Sequence, residues 1–209
     1  SYFFKVRDAL KRSIKNSVDN KKFPFLPAKI VEDVYKTMPE DGILALDNGM
    51  YKIYFARNYK AREQNSVLLD NALATMGAGL PSGIAAKILF PKKKVLIISG
   101  DGGIVMNIAE LETAWRLKLD LTILILNDSG FGMIRWKQED MQMHEFGLKF
   151  DNPDFVKLAE SFGAKGYKIK KTEDLTKILK QALDSKGVNI IECPSDDCQN
   201  FKKLGADLQ

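Results

Sequence analysis

The chain has 209 residues, of which 45% are hydrophobic and 28% charged, which is typical of a globular domain with a sizeable core. Its formal net charge is +5, but the lysines are scattered and are not interleaved with aromatic residues, so we expect no nucleic-acid partner. No apolar run approaches the ~20 residues that cross a bilayer, so we expect no membrane span.

The first predicted element is a basic amphipathic helix. Val6, Leu10, Ile14 and Val18 recur at helical spacing, and a proline-marked linker follows. We therefore predict that residues 1–26 belong to a preceding region and that residues 27–209 form the domain. The chain begins with Ser1 rather than Met, which favours a piece of a longer protein.

From residue 27 onwards, predicted helices and strands alternate. The helices are expected at 27–38, 72–89, from 107, 152–163 and 173–185, and the strands at 42–47, 66–70, 94–99, 120–127, 167–170 and 189–193. Asn107 and Glu110 fit a capping box, and Asn152 followed by Pro153 fits an N-cap and first helical position. Because the longest strands are apolar throughout, we predict an α/β fold: a doubly wound, mainly parallel sheet with helices on both faces.

Cysteine and histidine are too few for a zinc site. The chain has Cys193, expected in the core, Cys198 and one histidine, His144, whereas zinc needs about four nitrogen or sulfur ligands. Two cysteines and no signal-peptide pattern favour a reducing compartment, so we predict a cytoplasmic protein.

Glycine and acidic residues follow two of the apolar strands. In Gly100-Asp101-Gly102-Gly103, the glycines allow a sharp turn that brings backbone N–H groups to a phosphate, and Asp101 calls for a cation in between. In Asn127-Asp128-Ser129-Gly130, Asp128 offers a second oxygen ligand of the kind that Mg²⁺ prefers. Either sequence alone is common as a turn, but together, at the ends of two buried strands, they predict a diphosphate–metal site.

These motifs resemble a known signature. Gly100-Asp101-Gly102, 24 residues and Asn127-Asp128 resemble the thiamine diphosphate motif, which ends in two asparagines. The stretches "DNALATMGAGLPSGIAAK", "GDGGIVMNIAELETAWRL" and "NDSGFGMIRWKQED" are similar to acetolactate synthases, over residues 27–195. The resemblance implies the C-terminal diphosphate-binding domain of a thiamine diphosphate- and Mg²⁺-dependent enzyme. It also implies partners outside these residues, namely a pyrimidine-binding domain and a middle domain.

The resemblance also assigns site residues. Asp101, Asp128 and the carbonyl of Gly130 would ligate Mg²⁺, and Gly102 and Gly103 would contact the diphosphate. Asp128 replaces an asparagine, so its extra negative charge would weaken cofactor binding or be offset by a nearby cation. The remaining expected cofactor contacts are Asn48, Gly49, Met50, Tyr51, Ala74, Thr75, Met76, Gly100, Phe131, Gly132, Met133 and Ile134. Met76 would hold the cofactor bent, and the Ala74 carbonyl would accept from its aminopyrimidine.

Several of these residues keep a structural alternative. Met76 and Met133 are also compatible with a place in the core, and Asp47 with a turn or N-cap. Trp136 stands one residue nearer to the glycine–methionine pair than the substrate-side tryptophan of biosynthetic relatives, which leaves its equivalence open. His144 is expected to be exposed.

The implied reaction is condensation of two pyruvates to 2-acetolactate with release of CO₂. Alternatives are glyoxylate carboligation, decarboxylation of another 2-keto acid, and a non-catalytic phosphate-binding module. No catalytic residue is expected within these residues, because the glutamate that activates the cofactor belongs to the pyrimidine-binding domain. We therefore expect the isolated fragment to be inactive, and the enzyme to be a homodimer or homotetramer that acts on a small 2-keto acid.

Overall fold

The structure is a computed structural model that describes residues 22–196 together with Phe4, Lys5 and Asp8. The amphipathic stripe expected in residues 1–26 lies outside the described residues, and the domain boundary at residue 26 stays a prediction. Phe25 is fully buried, and its backbone N–H donates to the Pro194 carbonyl at 3.1 Å. Phe25 therefore packs beside the strand that ends at Pro194.

Six strands form the sheet: β1 (Ile43–Leu46), β2 (Val67–Leu69), β3 (Val95–Gly100), β4 (Leu121–Asn127), β5 (Lys165–Lys168) and β6 (Val188–Pro194). Their order is β2-β1-β3-β4-β6-β5, and every neighbouring pair is parallel. The predicted α/β class is therefore confirmed, and the sheet of the described residues is wholly parallel.

Eight helices accompany the strands in residues 22–196: α1 (Pro27–Thr37), α2 (Met50–Asn58), α3 (Gly79–Leu89), α4 (Asp101–Met106), α5 (Glu110–Arg116), α6 (Gly132–Asp140), α7 (Phe155–Ser161) and α8 (Asp174–Asp184). Helices α2, α4 and α6 were not predicted from the sequence. Over the part of the chain that the structure describes, no helix is both long and apolar enough to span a membrane.

The core has two halves, one on each face of the sheet. Leu44, Leu96 and Leu124 face α1, α2 and α8, whereas their strand neighbours Ala45 and Ile97 face α3, α5 and α7. Both faces of β3 and β4 are thus covered, which explains their uninterrupted apolar sequences.

Two predicted helix starts are wrong. Asn107 forms no capping box: its side-chain amide donates to the Gly77 carbonyl at 3.0 Å, and α5 begins at Glu110 without a side-chain cap. Helix α7 is capped by Asp154, whose Oδ1 accepts from the N–H groups of Val156 and Lys157, and not by Asn152. In both cases the local sequence assigns the asparagine to a helix cap, but its side-chain amide hydrogen-bonds a residue distant in sequence instead.

Helix α3 is shorter than predicted. It begins at Gly79 rather than near residue 72, and residues 70–78 form a loop in which Ala74 has φ +50° and Gly77 φ +86°. The helix lies close to β3, since a Cβ on Gly83 would be 2.2 Å from Ile97 Cγ1. Small residues here permit close contact between helix and sheet.

The register of the central strands brings the two glycine-rich corners together. Gly100 of β3 pairs with Leu126 of β4, so Asp101 and Asn127 directly follow paired positions. Both corners therefore lie at the carboxyl edge of the sheet, where parallel α/β sheets bind ligands.

Candidate functional site

A cleft of about 550 Å³ opens at the carboxyl ends of β1, β3 and β4. Its walls include most of the predicted site residues: Asn48, Gly49, Met50, Tyr51, Ala74, Met76, Gly100, Asp101, Gly102, Gly103, Asp128, Gly130, Phe131, Gly132, Met133 and Ile134. Thr75 is not among the lining residues. The structure thus brings these residues to one cavity, and their roles toward a cofactor stay predictions.

Asp101 is deeply enclosed in the cleft, with 2% of its surface exposed. Its Oδ1 accepts from the N–H of Gly102 at 2.8 Å. Its Oδ2 accepts from the N–H of Ser129 at 2.8 Å and from the Asn152 amide at 2.7 Å. Burial raises the pKa of Asp101, and these hydrogen bonds act against that rise by stabilising the charged form.

Asp128 lies close enough to Asp101 for their charges to interact. Burial, and then the negative charge of Asp101, raise the pKa of Asp128 to about 7, whereas the Arg135 guanidinium acts to lower it. Arg135 lies over the same corner, since a Cβ on Gly130 would be 3.0 Å from its Nη2. The positively charged Arg135 side chain therefore lies near Asp128, the position at which the thiamine diphosphate motif has an asparagine.

The available donors suit Mg²⁺ better than a transition metal. Within the described residues, no three His, Cys, Asp or Glu side chains gather into a group that could hold a metal ion. What the corner offers is two acidic side chains and backbone carbonyls, all oxygen donors. Mg²⁺ commonly uses one or two carboxylates, with phosphate oxygens and water completing its octahedron. The residues therefore fit an ion that is shared with a diphosphate.

Two glycines of the first corner are required by protein neighbours. A Cβ on Gly103 would be 2.5 Å from Asp47 Oδ2, and one on Gly102 would be 2.9 Å from Phe131 Cε1. Phe131 packs against Phe150 with ring centroids 4.8 Å apart. Side chains at positions 102 and 103 would therefore clash with these neighbours.

Asp47 is a buried connector rather than the N-cap considered from the sequence, since Gly49 caps α2. It is fully buried, and its carboxylate accepts from the N–H of Asn48 at 2.8 Å, the N–H of Gly77 at 3.0 Å and the Ser99 hydroxyl at 2.7 Å. These bonds join the ends of β1 and β3 to the loop that carries Met76. In the sequence, only its position directly after an apolar strand indicates that Asp47 lies near the site.

Lys52, which was not predicted, holds the loop of residues 70–76. Its Nζ donates to the Asp70 carbonyl at 2.5 Å and to Asn48 Oδ1. The Asn48 amide in turn donates to the Thr75 carbonyl at 2.8 Å, and the Thr75 N–H donates to Asp70 Oδ2 at 3.1 Å. Desolvation lowers the pKa of Lys52, against the attraction of Asp70 and Asp47. Lys52 of α2 and Asn48, just before α2, thus hold the loop of residues 70–76 in place.

The Tyr51 side chain hydrogen-bonds the backbone of the first glycine-rich corner. Its phenol oxygen accepts from the Gly100 N–H at 2.8 Å, and 2% of its surface is exposed. The resemblance left the role of this phenol open, and the structure places it on the protein backbone. Of the other candidates, His144 is exposed as expected, and Trp136 lies under Lys137 Nζ at 4.2 Å from the ring centroid.

The fold and the cleft define a class: a parallel α/β domain with a ligand cleft at the carboxyl edge of its sheet. The chain belongs to the thiamine pyrophosphate enzyme family. Residues 47–193 match the family's C-terminal TPP binding domain.

Relatives of known description agree with this assignment. The acetolactate synthase of Bacillus subtilis (strain 168) is 33% identical over 175 residues, which cover 84% of this chain and 31% of that protein. The catabolic acetolactate synthase of Raoultella terrigena is 33% identical over 183 residues, covering 88% of this chain and 33% of that protein. The chain thus spans about a third of the length of these curated relatives.

A solved structure shares the fold. The thiamine diphosphate-dependent 4-hydroxybenzoylformate decarboxylase of Rhodococcus jostii RHA1 superposes with a TM-score of 0.77 at 28% identity, over 82% of this chain and 33% of that one. The similar proteins therefore include both synthases and a decarboxylase of 2-keto acids.

Proposed function

We propose that this chain anchors thiamine diphosphate and Mg²⁺ in an acetolactate synthase, which condenses two pyruvates to 2-acetolactate with release of CO₂. The observation that carries the proposal is the meeting of Asp101 and Asp128 at one corner of a cleft lined by the predicted cofactor residues. The named relatives favour the synthase reaction.

In this proposal, Asp101, Asp128 and the Gly130 carbonyl hold the ion, and the N–H groups of Gly102 and Gly103 face the diphosphate. The cofactor supplies the carbanion chemistry that lets a 2-keto acid lose CO₂. The chain's own residues bind and orient: Tyr51 fixes the first corner, and Asn48 and Lys52 fix the loop bearing Ala74 and Met76. Arg135 offsets the added charge of Asp128.

The proposal also includes partner domains. Apolar side chains are exposed in the segments that line or follow the cleft: Leu73 at 85%, Ile134 at 47% and Phe146 at 86%. Exposed apolar groups beside a site favour coverage by another protein surface. We propose that pyrimidine-binding and middle domains outside these residues cover them, that the activating glutamate comes from the pyrimidine-binding domain, and that the enzyme is a homodimer or homotetramer.

A second candidate is decarboxylation of another 2-keto acid, favoured by the similarity to the 4-hydroxybenzoylformate decarboxylase. The full-length protein should be incubated with pyruvate and, separately, with 4-hydroxybenzoylformate, each with thiamine diphosphate and Mg²⁺, and the products separated. Accumulation of 2-acetolactate supports the synthase, and release of CO₂ with free aldehyde supports the decarboxylase.

Cofactor binding tests the site itself. We propose titrating the protein with thiamine diphosphate and with ATP, each with and without Mg²⁺. Of these four titrations, only thiamine diphosphate in the presence of Mg²⁺ should show tight binding. Asp101→Ala should abolish that binding, whereas Asp120→Ala, at a partly exposed position just before β4 at the opposite end of the strand, should leave it intact. Equal binding of thiamine diphosphate and ATP would instead indicate a general phosphate-binding module.

A further inference from the structure

We infer that Asn152 is a positioning residue that orients the Asp101 carboxylate toward the divalent cation. This inference rests on the proposed function, because the cation belongs to the proposed site. It concerns a residue that the sequence assigns to a helix cap and that does not line the cleft.

The contacts of Asn152 join both glycine-rich corners. Its Nδ2 donates to Asp101 Oδ2 at 2.7 Å and to Asn127 Oδ1 at 3.0 Å, and lies 3.4 Å from Ser129 Oγ. Asp101 is 51 residues away in sequence. Since Asp154 caps α7, the Asn152 amide is available for these longer-range bonds.

These bonds distinguish the two oxygens of Asp101. Oδ2 accepts from both Ser129 and Asn152, which occupies the two lone pairs of that oxygen. Oδ1 accepts from the N–H of Gly102 and keeps acceptor capacity for a further partner. Asn152 thereby stops rotation of the carboxylate and assigns Oδ1 to the cation.

The positioning group is itself anchored in the sheet. Asn127, which accepts from Asn152, donates through Nδ2 to Glu192 Oε1 at 3.0 Å. Lys168 Nζ donates to the same Glu192 oxygen at 3.0 Å. The bonds therefore run from the corner across β4 and β6 to the edge strand β5, so Asn152 is tied to the sheet through Asn127.

Loss of this amide should weaken cation binding, because a partner that orients a metal ligand commonly contributes 10- to 100-fold in affinity. The test is a Mn²⁺ titration of the full-length protein, followed by electron paramagnetic resonance, at saturating thiamine diphosphate. We expect Asn152→Ala to weaken Mn²⁺ binding about tenfold or more. Asn189→Ala is the control, since it removes a buried amide at the amino end of β6, away from the carboxyl edge of the sheet.

A purely structural role predicts a different result. Both variants would then lose stability in urea, and the folded protein of each would bind Mn²⁺ as the wild type does. Mn²⁺ affinity of Asn152→Ala within twofold of the wild type therefore overturns the inference and leaves the proposed function standing. If Asn152→Ala does not fold, Asn152→Ser carries the test, because its hydroxyl is too short to reach Asp101. Failure of the wild type to bind Mn²⁺ with thiamine diphosphate overturns both.

Discussion

The carboxylate of Asp101 accepts a 2.8 Å hydrogen bond from the backbone N–H of Ser129, so a side chain that follows β3 holds the turn that follows β4. The contact fixes the spacing of the two corners and brings Asp128 near Asp101. It leaves two acidic groups close together in a partly buried place, which is costly unless a cation is present. The expectations below follow from that arrangement and from its supports.

Asp128→Asn should stabilise the protein in the absence of Mg²⁺ and cofactor. The folded pKa of Asp128 is about 7, above the unfolded value of about 3.9, so the folded state binds more protons between these values. The stabilising effect of that proton is lost as pH rises through 7. The variant should therefore gain stability over the wild type as pH rises from about 4 to 7, reaching roughly 1–4 kcal/mol.

Urea unfolding at a series of pH values measures this difference. Asp154→Ala is an opposite-sign control, because hydrogen bonds from Lys157 and Val156 lower the pKa of Asp154 and its contribution disappears as pH falls. If the difference in unfolding free energy between wild type and Asp128→Asn does not change with pH, ionisation of Asp128 does not destabilise the folded state.

Arg135→Met should raise the pKa of Asp128 further. The substitution removes the positive charge that favours ionised Asp128 and keeps a side chain of similar length. A carbon-13 NMR titration of the Asp128 carboxyl reads the shift directly. Lys137→Met, at an exposed position of the same helix, should leave the titration unchanged. An unmoved midpoint in Arg135→Met would mean that Arg135 does not compensate Asp128.

Tyr51→Phe should weaken cofactor binding as well as stability. The change leaves the Gly100 N–H without its phenol acceptor, at a cost of about 1–3 kcal/mol. Tyr167→Phe, on the edge strand β5 and away from the cleft, is the control, because it removes a phenol hydrogen bond to buried Asn189. Calorimetric titration with thiamine diphosphate and Mg²⁺ should separate the two, with reduced affinity in Tyr51→Phe only. Equal affinities would limit Tyr51 to a packing role.

Gly83→Ala should destabilise the fold although alanine favours helices. The new methyl group would overlap Ile97 Cγ1, and overpacking of this kind typically costs about 1–3 kcal/mol. On the exposed face of α3, Ala85→Gly should cost about 1 kcal/mol through helix propensity alone. Thermal unfolding compares the two. A rise in Tm for Gly83→Ala would contradict the close approach of α3 to β3.

The sheet was predictable because its central strands are buried on both faces. Strands β3 and β4 have the expected bounds within one residue, and parallel pairing then dictates that their polar ends meet. Helix α2 was missed because it lacks a side-chain cap and contains aromatic residues, although Tyr51, Tyr54 and Phe55 bury one face. Its residues were interpreted as a ligand loop.

The supports of the site were harder to predict, because their partners are distant in sequence. Asn152 follows the local rule for a helix cap, yet its amide reaches Asp101 and Asn127. Asp47 lies 52 residues from its partner Ser99, and nothing nearby in the chain indicates that contact. Local patterns therefore identified the ligand-facing residues and not those that hold them.

The closeness of Asp101 and Asp128 has a consequence for the life of the chain in a cell. A divalent ion bound between them, as proposed, would relieve their electrostatic repulsion, so its binding would stabilise the folded state by mass action. Chains that have not met their ion would unfold more often and be degraded sooner. We therefore expect the cellular abundance of this protein to rise and fall with the supply of magnesium and vitamin B1.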